Sequence, residues 1–168
     1  MKSALFAFSL VALLLVVTPG PDFAVVVPNA LRGRRTGIAT AFGTASGLAV
    51  HAAIAAAGLS AIILASDLAF SIIKYLGAAF LILLGIRALW KSRRSHDKRE
   101  PSTTKPTRPL SVGGAYRQGL MVNVLNPKAS LIYLSIMPQF LQPNVSTTHQ
   151  LLAMSAILVA LALTWYLS

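Results

Sequence analysis

Residues 16–23 read V-V-T-P-G-P-D-F, and they break an apolar run that starts at Ala4 and resumes at Phe23. Proline removes a backbone donor and ends or kinks a helix wherever it falls. Beside it here stands an aspartate, a charge that apolar surroundings tolerate poorly. What such a break means depends on the medium around it, and the rest of the sequence identifies that medium.

The chain has 168 residues, 55% of them hydrophobic and only 11% charged. A soluble domain carries about 25% charged residues, so this chain has too few ionisable groups to cover a water-facing surface. The apolar residues fall in five blocks, at about 3–31, 38–65, 68–90, 116–141 and 150–168. Each is near or above the ~20 residues that a membrane-spanning helix needs. The expected fold is all-α: a polytopic membrane helix bundle with five spans present, in a single membrane domain over residues 1–168. The lipid bilayer is its first partner.

The net charge is +11, and nine of the fifteen Lys and Arg residues lie between Arg87 and Arg117. One basic connector between two apolar blocks is the signature of a cytoplasmic loop, not of a nucleic-acid partner, although it would attract anionic lipid headgroups. The segment S-R-R-S-H-D-K-R-E-P-S-T-T-K-P-T-R-P lacks periodicity and holds three prolines, so residues 91–115 read as a flexible basic cytoplasmic linker. Arg32, Arg34 and Arg35 share its side if the second and third blocks form a hairpin. The opposite connectors carry no Lys or Arg, which places the N-terminus outside. Lys2 and Lys74 depart from the pattern, and Lys74 can snorkel to the interface. A cleaved signal peptide fits Lys2 and the 4–17 stretch, but no A-x-A-like site follows. With no cysteine in the chain, disulfides and thiolate metal sites are excluded.

Depth can be counted from Arg32. Asp22 lies ten positions away, which at ~1.5 Å per residue is roughly 15 Å, half of a ~30 Å hydrocarbon core. Asn126-Pro127-Lys128 lies nine positions beyond Arg117 and reaches roughly 14 Å by the same count. Unpaired backbone at such depth must be buried in protein or line a watery cavity. Three spans separate the two breaks, and an odd number reverses direction. Residues 3–90 therefore read as a first three-helix repeat and 116–168 as an incomplete second one, an inverted 3+3 design lacking the sixth helix. Matching breaks in inverted halves point to a transporter substrate site.

The chemistry of both breaks suits a zwitterion. A half-helix starting at Pro21 offers free amides and a positive dipole end to a carboxylate. Carbonyls freed near Val17 and Thr18, together with Asp22, offer a seat to an ammonium group. The candidate substrate-binding residues are Thr18, Pro19, Gly20, Pro21, Asp22, Asn126, Pro127 and Lys128. A direct Asp22–Lys128 pair across the repeats would offset the burial cost of both charges. Simple kinks without a ligand are the plainer account of the prolines.

Gly43, Gly47 and His51 fall at successive i+4 steps, and glycines so spaced let a second helix approach closely. Gly77 and Gly85 read as packing positions of the third block. His51 suits an interhelical hydrogen bond, or, with Asp22, proton coupling, since imidazole titrates near neutrality. No metal site, cofactor or catalytic set is expected, because Asp22, His51 and Lys128 are too thin a constellation for an enzyme.

Thr18–Pro21 (T-P-G-P), G-x-x-x-G-L-A-V-H at Gly43–His51, Tyr75–Arg87, N-x-x-N-P-K at Asn123–Lys128 and M-P-Q-F at Met137–Phe140 occur in an order that resembles the LysE (lysine exporter, or RhtB) amino-acid efflux family. The resemblance covers essentially the whole chain. It implies a six-helix exporter of amino acids or close derivatives in the bacterial inner membrane, driven by proton exchange. Family members finish with a sixth helix, whereas this chain stops in the fifth at T-W-Y-L-S, as a fragment or a shortened product. The competing expectation is a channel-like or regulatory membrane subunit without coupled transport. A homo-oligomer is compatible with either.

Overall fold

The computed structural model describes residues 2–65, 110–143 and 145–168, together with Leu68, Ser71, Ile72, Tyr75 and Ile82. Most of the expected third span (68–90), with Gly77 and Gly85, and nearly all of the 91–115 linker lie outside these residues. Among the described residues every regular element is helical, and no strand occurs.

Helix α1 (Lys2–Val17) is a largely apolar run, and it stops where Pro19 and Pro21 each lack a backbone donor. Helix α2 (Pro21–Arg32) restarts at once, with Pro21 in its first turn and Asp22 beside the positive end of its dipole. The two axes meet at 58°. After a one-residue turn at Gly33, α3 (Arg34–Ala65) runs unbroken for 32 residues.

Helix α4 spans Val112–Val124, four residues earlier than the expected block. The extension has a local cause, since the Ser111 side chain accepts a hydrogen bond from the Gly114 amide at 3.1 Å and caps the helix. Asn126 then caps the short helix α5 (Pro127–Leu131), its side chain accepting from the Lys128 amide at 2.9 Å. A π-turn at Ile132–Ile136 and a 3-10 turn at Met137–Phe140 follow, around Pro138, which cannot donate to the Leu134 carbonyl. The segment from Pro127 to Phe140 is bent 47° from α4. Helix α6 (Thr147–Leu167) closes the bundle.

Two helices, α3 and α6, are each long and apolar enough to cross a membrane. Counting each bent pair as one span brings the described residues to four. The fifth expected span is the third block, which is largely outside them.

The core lies between α1, α3, the α5–π segment and α6, around Phe8, Leu48, Tyr133, Met137, Leu151 and Leu158. Phe8 packs edge-on against Phe140, with ring centroids 5.6 Å apart. Outward, large apolar side chains remain bare: Leu14 is 71% exposed, Phe6 67% and Ile54 62%. A soluble fold seldom leaves so much apolar surface to water, whereas lipid solvates it freely.

Helices α3 and α4 approach closely because glycine lines their seam. A Cβ on Gly43 would overlap the Tyr116 carbonyl oxygen and stand 2.9 Å from the Leu120 amide nitrogen. From the other side, a Cβ on Gly119 would overlap the Thr40 carbonyl oxygen. Small residues at such a crossing replace side-chain bulk with backbone contact. This seam sets the height of α4 against α3, and with it the position of the second break.

Candidate functional site

The two proline breaks face each other across the bundle. Asp22, half-buried at the start of α2, accepts on Oδ2 from Asn123 Nδ2 at 3.1 Å and from Asn126 Nδ2 at 3.0 Å. Asn123 and Asn126 are both buried. Asn123 packs directly on Gly47, where an added Cβ would sit 2.6 Å from its Oδ1 and 2.7 Å from its Cβ. Asn126 is fixed at both ends of its amide: Oδ1 caps α5 while Nδ2 holds the aspartate.

Each break frees a carbonyl, and a side chain from elsewhere answers it. In an α-helix the Leu15 carbonyl would accept from residue 19, which is Pro19 and has no N–H. Lys128 Nζ supplies the missing donor at 2.6 Å, and also donates to the Thr18 carbonyl at 2.7 Å. The lysine stem runs past Gly20, where an added Cβ would lie 3.3 Å from Lys128 Cδ. Likewise the Asn123 carbonyl would accept from residue 127, which is Pro127. His51 Nε2 reaches it at 3.1 Å, beside the Asn126 amide at 2.9 Å. A carbonyl only accepts, so Nε2 carries the hydrogen in this bond. The His51 ring also stacks on Tyr133, with centroids 5.7 Å apart and planes 22° apart.

Asp22 and Lys128 therefore share one site without forming a direct ion pair: asparagine amides hold the acid, and backbone carbonyls hold the ammonium. The carbonyl pair that the sequence offers to a ligand's ammonium is occupied by Lys128, and the pair is Leu15 and Thr18 rather than Val17 and Thr18. Thr18, Pro19, Pro21 and Pro127 have exposed side chains.

A cavity of about 30 Å³ opens between the breaks, lined by the polar Asp22, Lys128 and Thr44 and by apolar side chains that include Leu15, Val16, Leu48, Ile132 and Leu158. Asp22 Oδ1 and Thr44 Oγ1, on two of its lining residues, and Asn123 Oδ1 are buried without a hydrogen-bond partner among the described residues. Buried polar atoms are nearly always paired, with protein or with water, so these oxygens set this region apart from the apolar core around it.

A second polar node lies toward the α2–α3 turn. Asn29 Nδ2 donates to Thr40 Oγ1 at 3.0 Å and to Gln118 Oε1 at 2.9 Å, while Arg32 Nη1 donates to Asn29 Oδ1 at 3.1 Å. This node brings Arg117 to the same end of the bundle as Arg32, Arg34 and Arg35.

Sequence reasoning missed Thr44, Asn29, Thr40 and Gln118, and it quoted Asn123 without assigning it to the site. Their common signal was a polar side chain inside an apolar block. Asn123 carried a second one, since it stands four residues before a helix-breaking proline. Among the described residues no cluster of His, Asp or Glu suited to a metal ion is present.

Comparison with known proteins finds relatives for most of the chain. A family model described as LysE type translocator matches residues 13–168. The chain is 38% identical over 170 residues to the membrane protein YrhP of Bacillus subtilis, covering 98% of this chain and 80% of that protein. It is 30% identical over 156 residues to a membrane protein of Vibrio cholerae, with 92% and 73% covered. To the leucine efflux protein of Salmonella typhimurium it is 32% identical over 139 residues, covering 82% of this chain and 62% of that protein. No solved structure matches.

Proposed function

The chain belongs to the LysE type translocator family, and from that premise we propose that it exports amino acids with apolar side chains across the inner membrane by proton exchange. The substrate sits between the two broken helices, near the middle of the bilayer. Thr18–Asp22 and Asn126–Lys128 form the two sides of its seat, and Asp22 with His51 carries the coupled proton. The observation that carries this proposal is the meeting of both breaks around Asp22, next to a cavity lined by Asp22, Thr44 and Lys128 together with aliphatic side chains.

Several features support it. Irregular backbone and a charge within apolar surroundings are retained where they line a transport path. The apolar cavity walls suit an aliphatic side chain, and the leucine efflux relative handles such a substrate by name. The shared end of Arg32, Arg34, Arg35 and Arg117 supports a cytoplasmic basic face and an external N-terminus.

Cells expressing the chain, loaded with a labelled leucine dipeptide that they hydrolyse, test the proposal. Export of free leucine above the empty-vector level, abolished by a protonophore, is the expected result. Export that persists without a proton gradient would indicate a passive path instead. No export of leucine or of any other apolar amino acid would overturn the proposal.

A further inference from the structure

The cavity between the breaks is too small for the cargo assigned to it. At about 30 Å³ it has room for a water molecule or two, whereas ligand pockets commonly measure about 300–1,000 Å³. Something that lines it must move before an amino acid can enter. Of the lining side chains, Lys128 is the long, flexible one, and it already holds the position that an incoming ammonium would seek.

We propose that Lys128 is an internal stand-in for the substrate's ammonium group: its Nζ occupies the Leu15 and Thr18 carbonyl seat, and the substrate takes that seat by displacing it. The inference rests on the exporter reading above and adds the step by which the site opens. Three observations lead to it. The seat is built for a cation, with two carbonyl oxygens 2.6 Å and 2.7 Å from the ammonium. One of them, the Leu15 carbonyl, has no helical donor because Pro19 follows it at i+4. The side chain filling the seat is pressed against Gly20, a position without bulk.

A displaced Lys128 does not lose every partner. Asp22 lines the same cavity, and its Oδ1 accepts no hydrogen bond from the described residues. Two acceptor sets and one protein cation thus make a two-position switch, which a second cation biases. In the absence of substrate Lys128 keeps the carbonyls satisfied, since leaving them unpaired in an apolar environment is costly. A ligand shifts such an equilibrium only through a difference in its affinity for the two states. Here that difference is the vacated seat.

The test uses the full chain in liposomes, an amine-acetylating reagent in excess over the probes, and mass spectrometry. Lys128 acetylation is read relative to that of Lys2 in the same sample, which corrects for reagent taken up by the probes' own amines. Three probes are compared: L-leucine, L-leucinamide (ammonium without carboxylate) and 4-methylpentanoate (carboxylate without ammonium). The expected result is that leucine and leucinamide each raise Lys128 acetylation severalfold, while 4-methylpentanoate leaves it unchanged. Protection of Lys128 by leucine or by 4-methylpentanoate would mean that the lysine binds the substrate carboxylate, and would overturn the proposal. Unchanged acetylation with all three probes would overturn it too. Pro19→Ala, which returns an amide donor to the Leu15 carbonyl, should raise Lys128 acetylation without any ligand. Leucine counterflow by the same liposomes separates the two levels. Counterflow without unmasking of Lys128 removes only the displacement step, and absence of counterflow removes the exporter reading as well.

Discussion

Asn123 Nδ2 donates to Asp22 Oδ2 at 3.1 Å, across 101 positions of sequence. Through this bond the second broken helix fixes the acid of the first. Asn126 adds a parallel bond at 3.0 Å, so one carboxylate oxygen accepts two hydrogen bonds while the other accepts none from the described residues.

Replacing Asp22 separates its structural role from its role in export. Asp22→Asn keeps an acceptor for the two amides and removes a charge from apolar surroundings, so the protein should melt in detergent within a few degrees of the unmodified chain. Export in the leucine dipeptide assay should nevertheless fall to background. Asp22→Ala leaves both asparagine amides unpaired, at about 1–3 kcal/mol for each buried one, and its melting temperature should be clearly lower. An Asp22→Asn chain that exports normally would remove Asp22 from the coupling role.

Gly47 is the wall that holds Asn123. Its replacement by Ala puts a methyl group 2.6 Å from Asn123 Oδ1, and the asparagine must rotate off Asp22 or α4 must retreat. Overpacking of this kind costs about 1–3 kcal/mol. Gly58, on the same helix, has nothing within 4 Å of an added Cβ among the described residues, and there alanine should be neutral or stabilising by up to about 1 kcal/mol. Thermal melts of the two variants side by side check the contrast.

His51→Gln tests the imidazole as a proton carrier. Glutamine can donate to the Asn123 carbonyl in place of Nε2 but does not titrate. The variant should stay within about 1 kcal/mol of the parent stability, since only one hydrogen bond is exchanged for another. Leucine counterflow, which needs no net proton movement, should survive, and protonophore-sensitive uphill export should be lost. Retained uphill export would assign His51 to structure alone.

The Asn29 node carries a stability prediction independent of transport. Asn29→Ala removes the partner of Thr40 Oγ1 and Gln118 Oε1 in one step and should cost about 1–3 kcal/mol. Gln118→Ala leaves Asn29 with Thr40 and should cost less. A double variant no worse than Asn29→Ala would show that the bond between them is the shared term. Melting curves of the three proteins decide this.

The membrane setting was legible because it is a bulk property: the charge deficit, the run lengths and the clustered arginines do not depend on how helices pack. The break at Thr18–Asp22 was equally plain, since proline's missing N–H acts locally. The partners of the freed groups were not. Leu15 and Lys128 are 113 residues apart, and no spacing rule connects them. Thr44 and Asn29 looked like ordinary polar interruptions in apolar helices, because their significance depends on what the neighbouring helix presents.

By itself, then, the sequence determined where the backbone must lose its hydrogen bonds, because that follows from ring closure at Pro19, Pro21 and Pro127 and from nothing farther away. Tertiary structure alone decided who replaces those bonds. The glycine seam between α3 and α4 sets the two breaks at one height, and only at that height do Lys128, His51 and Asn123 come within reach of Leu15, of the carbonyl before Pro127 and of Asp22. Hydrogen bonds extend about 3 Å, so their partners are chosen by packing and not by composition.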